Sequence, residues 1–134
     1  MNELAPRVLI IMSDQWPRAL IRAALREVGY DAIGARNTEE ARRYRAIEAG
    51  RGAVRLLVAD HDAATRGHDE LREIMAAHRN PPVLLVAHAT RDVPEGPWSR
   101  VMRRPVSVAD VVTAVQSLLP LAEEARRPVD TDGS

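Results

Sequence analysis

The stretch DHDAATRGHDE, residues 60–70, gathers three aspartates, two histidines and a glutamate behind an apolar run. Imidazole and carboxylate together suit zinc or nickel, and His61, His68 and Asp62 are imaginable ligands. Their spacing matches no ligand pattern, however, and polar loops commonly follow strands, so a plain loop is the simpler reading. His78 and His88 have no evident partner and read as surface residues. A Ser-His-Asp hydrolase would need a sharp Gly-x-Ser-x-Gly elbow, and none is present. No phosphate-cradling glycine loop follows the first apolar run either. Cysteine is absent, which excludes a thiolate nucleophile, a thiolate-bound metal and a disulfide frame.

Composition narrows the field further. The 134 residues suffice for one domain with a real hydrophobic core. Nineteen basic residues balance nineteen acidic ones, so no excess positive field attracts nucleic acid or an anionic membrane. All nineteen are arginine, and any role for a compact ammonium must fall to a planar guanidinium. The segment EEARRYRAIEAGR interleaves acids with its arginines at helical spacing, which reads as a solvated face with local ion pairs. No apolar run approaches the ~18 residues of a membrane span. MNELAPR lacks the features of a signal peptide, so a cytoplasmic location is expected.

The elements that must position these side chains alternate. Val8–Met12 reads as a buried strand. A helix follows from Pro17, with Leu20, Ile21, Ala24, Leu25 and Val28 at helical spacing, and Gly29 ends it. Tyr30–Ala35 is a short second strand. Asn37 caps a second helix running through Ala41, Tyr44 and Ile47 towards Gly50. Val54–Ala59 is a third strand, Asp69–His78 a third helix, and Pro82–Ala87 a fourth strand. Ser99–Arg103 is a weaker fifth strand. Ser107 caps the closing helix Val108–Leu119, with Asp110 as the acid of a capping box. Between the fourth and fifth strands ATRDVPEGPWS holds two prolines and a glycine, so the fourth helix is short or missing. Alternation predicts an α/β fold with a parallel sheet covered on both faces and a crevice at the carboxyl ends of its strands. The loops after Met12, Ala59, Ala87 and Arg103 therefore matter most.

These residues resemble the receiver domain of bacterial two-component response regulators, over about residues 6–120. Residues 1–5 would then be an N-terminal tail, and 121–134 the end of the last helix and a disordered C-terminal tail. VRLLVAD resembles the third strand with its phosphorylated aspartate, which places Asp60 there. PPVLLVAHA resembles the fourth strand, and VMRRPVSVADVVTAV the fifth strand, its basic residue, a proline and the last helix. The resemblance implies a flavodoxin-like three-layer sandwich with five parallel strands in the order 2-1-3-4-5. It also implies a cis Arg104–Pro105 bond. Site positions carry over residue by residue: the metal-holding acid pair falls on Met12 and Ser13, the hydroxyl on Ala87, the lysine on Arg104 and the switch aromatic on Val101. Only Asp60 is unchanged.

Phosphoryl transfer to a carboxylate brings two anions together, and cations must offset the repulsion. Magnesium is a hard cation that takes oxygen ligands, and thioether sulfur does not suit it. Losing the hydroxyl at Ala87 forfeits a charge-assisted hydrogen bond, worth about 1.5–3 kcal/mol. The expectation is a degenerate receiver, not an enzyme, with no cofactor. It would act on a protein partner of a signalling pathway, a histidine kinase or output protein. The alternative is a phospho-accepting receiver with a weak magnesium site, in which Asp14 substitutes for the lost acid beside Asp60 and Asp62. In the first case Arg104 is expected to grip Asp60 in a bidentate pair; otherwise Arg104 points to solvent and Asp60 caps a loop. Arg103 could also point inward. A third possibility, a flavodoxin-like binder of a small ligand, has no phosphate loop or aromatic stacking pair behind it. The family's output surface would involve Val101, Val108, Val111 and Val112, and loss of the fourth helix puts it in doubt. Trp16 and Trp98 could anchor a partner or pack over loops. Oligomeric state is not readable from the residues.

Overall fold

Alternation of side chains along the strands generates the two sides of this molecule. In the computed structural model, which describes residues 4–121, β1 (Arg7–Ile11), β4 (Gly52–Asp60) and β5 (Val83–Ala87) form the centre of a sheet, buried throughout except at the start of β4. Leu9, Ile11, Leu57, Ala59, Leu85 and Ala87 face one apolar layer. Val8, Ile10, Met12, Leu56, Val58, Leu84 and Val86 face the other. A period of two with both sets apolar is what a parallel sheet covered on both faces requires.

The parallel strands run in the order β2-β1-β4-β5-β6, with β2 at Asp31–Ala35 and β6 at Arg100–Arg103. This is the expected five-stranded order, and the architecture is the flavodoxin-like α/β sandwich. On one face lie α1 (Gln15–Val28) and α5 (Val108–Leu118), which bury Ile21, Leu25, Val111, Ala114 and Val115. On the other lie α2 (Thr38–Ala41), α3 (His61–Thr65) and α4 (His68–Ala77), the last contributing Leu71, Ile74 and Met75. The cap residues Gly29, Asn37 and Ser107 end or begin their helices where the sequence places them. Gly29 sits at φ 116 in the left-handed region, Asn37 accepts from the Glu40 N–H, and Ser107 accepts from the Asp110 N–H.

Four expectations need correction. The second helix stops at Ala41 instead of reaching Gly50; a two-residue strand, β3 (Ile47–Glu48), folds back antiparallel onto the start of β4. Gly50 (φ 82) and Gly52 (φ 84) supply the positive-φ turn, and Arg51 holds it with paired bonds of 2.8 and 2.7 Å to Asp31. These tertiary contacts outweigh the local helical pattern. The segment 61–65 adds a short helix absent from the reading. The first helix starts at Gln15, two residues before Pro17, and two of its apolar positions at helical spacing, Leu20 and Val28, are exposed at 52% and 38%. His78 is not a surface residue but 6% exposed.

Between β5 and β6 no helix forms, in line with the prolines there. Arg103 organises the loop instead, donating through Nη1 to the carbonyls of Arg91 (2.8 Å) and His88 (3.1 Å). Trp98 packs against the core below it and donates to the Pro94 carbonyl, whereas Trp16 is 73% exposed. The Arg104–Pro105 bond is cis. The expected C-terminal tail beyond 121 lies outside the described residues.

Candidate functional site

Parallel strands deliver their following loops to one end of the sheet, and the loops after β1, β4, β5 and β6 meet there. They enclose a crevice of about 180 Å³ lined by Ser13, Asp14, Asp60, His61, Asp62, His88 and Arg104. Asp60, Asp14 and Arg104 are thus brought to one place, as the sequence suggested.

Asp60 is 4% exposed and heavily bonded. Its Oδ2 accepts from the Ser13 backbone N–H at 2.8 Å and from Ser13 Oγ at 3.1 Å. Its Oδ1 accepts from the Ala63 N–H at 2.9 Å, making Asp60 the N-cap of α3. Ser13 Oγ also lies 3.4 Å from Asp62 Oδ2, so its single proton serves one carboxylate at a time. Met12 shares the parity of Val8 and Ile10; its side chain turns into the α1–α5 core and is 1% exposed. Ala87 is fully buried on the opposite face.

The expected pair between Arg104 and Asp60 does not form. Arg104 Nη1 lies 3.5 Å from Asp14 Oδ2, and the Asp14 side chain is 64% exposed. The reason is local: Asp60 is already satisfied by neighbouring donors of the backbone and Ser13, while Asp14, at the head of α1, makes no capping bond with its side chain. Arg103 points to the loop carbonyls and not into the crevice.

The histidines sort differently from the imagined metal set. His68 lies 3.5 Å from Asp69, away from the crevice lining, and among the described residues no three His, Cys, Asp or Glu side chains are grouped to hold a metal ion. His61 meets His88 instead, ring edge to face with centroids 6.0 Å apart. The His88 backbone N–H donates to His61 Nδ1 at 3.1 Å, and the Thr90 N–H donates to His88 Nδ1 at 3.2 Å. Each neutral ring therefore carries its proton on Nε2 and presents a donor there. Burial, with Arg91 and His88 nearby, pushes the His61 pKa below the usual imidazole value. His88 thus has partners, contrary to the sequence reading.

Val101, at the switch position on β6, is 39% exposed, whereas Val111 is fully buried and offers no surface contact. At the opposite end of the sheet a charged cluster escaped the sequence reading. Arg7 is fully buried at the head of β1, donates to the Gly52 carbonyl at 2.7 Å and lies 3.5 Å from Glu48 and 3.9 Å from Asp31. A signal existed: an arginine and an aspartate head the first two strands, and parallel register sets them side by side.

No family model matches the chain, and no curated protein matches it. Solved structures do. The non-phosphorylated HemR receiver domain from Leptospira biflexa superposes with a TM-score of 0.70 at 19% identity, covering 87% of this chain and 96% of that one. A response regulator receiver protein from Pseudomonas putida gives 0.68 at 23% identity over 87% and 99%. A response regulator from Thermotoga maritima gives 0.67 at 17% identity over 88% and 100%. The fold of this chain is therefore that of receiver domains.

Proposed function

We propose that this chain is a degenerate receiver, a signalling module that works by contact with a protein partner and without efficient magnesium-dependent phosphorylation of Asp60. The observation behind this reading is the state of that carboxylate: both oxygens are engaged, by Ser13 and by the Ala63 N–H, in bonds that also tie the loop after β1 to the first turn of α3. A nucleophile for phosphoryl transfer must be free to approach the donor, with cations placed to receive the charge. Here the donor set does not fit magnesium. Met12 turns a thioether into the core, Ser13 bonds Asp60, and exposed Asp14 faces a guanidinium. Ala87 has no hydroxyl for a phosphoryl oxygen.

The partner class is a protein of a two-component-type pathway, a histidine kinase or an output protein. Balanced charge argues against nucleic acid. Among the described residues no helix is long and apolar enough to cross a membrane. Incubation with acetyl phosphate and magnesium, followed by intact mass, tests the reading. The mass is expected to stay unchanged. A gain of one phosphoryl group that disappears in Asp60→Ala would establish the phospho-accepting alternative.

A further inference from the structure

A second concavity lies beside the Asp60 crevice, between the start of α1 and the turn into α5, with a volume of about 450 Å³. That is within the range of small-molecule pockets. Its floor is Met12, Ile21, Val86 and Val111, each no more than 3% exposed, so packing of the core preforms it. The floor is apolar because a methionine stands where the resemblance places an acid. Pro17, Val106 and Val108 raise the walls, and no acidic residue lines it.

Two polar groups stand at its edge. Arg104 lines both this groove and the Asp60 crevice, and its pair with Asp14 is a long, half-exposed contact of the kind that contributes little. Ser107 Oγ accepts the Asp110 N–H and keeps its own proton to donate. An apolar trough with one permanent cation and no anion selects by charge as well as by hydrophobicity. We infer that this groove binds an amphiphilic monocarboxylate, its tail over Met12, Ile21 and Val111 and its carboxylate on Arg104 in place of Asp14. The inference stands whether or not Asp60 accepts a phosphoryl group.

Calorimetric titration of the full chain with octanoate and with 1-octanol tests it. If apolar contact alone decided binding, octanol would bind at least as tightly, because its headgroup costs less to dehydrate. The expected result is octanoate binding about tenfold tighter than octanol, a ratio that Arg104→Gln abolishes. Val108→Trp, which fills the groove, should remove binding of both. In the wild-type protein, octanoate should shift the amide resonances of Met12, Val108 and Val111. Equal affinities, no saturable octanoate binding at millimolar concentration, or shifts confined to the Asp60 crevice would overturn the inference. So would concentration-dependent shifts of the same amides without ligand, which would seat a second copy in the groove.

Discussion

Asp60 and Arg104 share a crevice, yet their energetic roles differ sharply. Asp60 is buried and satisfies two backbone N–H groups, one in the loop after β1 and one in the first turn of α3, so its removal strips a helix cap and orphans donors. Capping losses run about 0.5–2 kcal/mol and an unsatisfied buried donor costs about 1–3 kcal/mol. Asp60→Ala should therefore destabilise by about 2–3 kcal/mol in urea unfolding. Arg104→Ala removes only an exposed contact at 3.5 Å and should cost less than about 1 kcal/mol. Equal costs for the two variants would restore the direct Asp60–Arg104 pair.

At the scale of elements, the close approach of α2 and α4 depends on a missing side chain. Gly67, the N-cap of α4, faces Thr38 of α2, and a Cβ there would run into the Thr38 side chain. Thr38 cannot easily yield, since it is buried and its Oγ1 donates to Glu70 at 2.9 Å. Gly67→Ala should cost about 1–3 kcal/mol by overpacking, and alanine is also a poorer N-cap than glycine. A chemical-denaturation midpoint unchanged by this substitution would show that the two helices can separate freely. The hairpin of β3 and β4 works in the reverse sense, held by a pair of bonds from Arg51 to Asp31.

For the molecule as a whole, two buried imidazoles link stability to pH. Burial lowers the pKa of His61, and burial together with Arg7 lowers that of His78, whose Nδ1 has no hydrogen-bond partner among the described residues. The unfolded chain then binds protons at higher pH than the folded one, so stability rises with pH through this window. Thermal midpoints should be level above pH of about 7 and fall as pH drops below about 6.5. His78→Leu should flatten that limb. At lower pH a second loss is expected as Asp31 protonates, because its bond to Arg51 holds its pKa below the ordinary value and the stabilisation exists only while it is ionised. A midpoint that does not change between pH 7 and 5 would remove the histidine linkage.

Sequence alone determined the alternation of strands and helices, the caps at Asn37 and Ser107 and the missing fourth helix. Each rests on local periodicity or on the backbone limits of glycine and proline, which neighbouring residues express by themselves. It also brought Asp60, Asp14 and Arg104 to one end of the sheet, because strand polarity dictates where loops emerge. Which of them pair was decided only by the tertiary structure. Asp60 is bonded by Ser13 and Ala63, 47 and 3 residues away, and Arg104 lies against Asp14 instead. The burial of Arg7, the meeting of His61 with His88 and the bonds from Arg51 to Asp31 that hold the Ile47–Glu48 hairpin arise in the same way, from partners distant in the chain whose contacts no local pattern encodes.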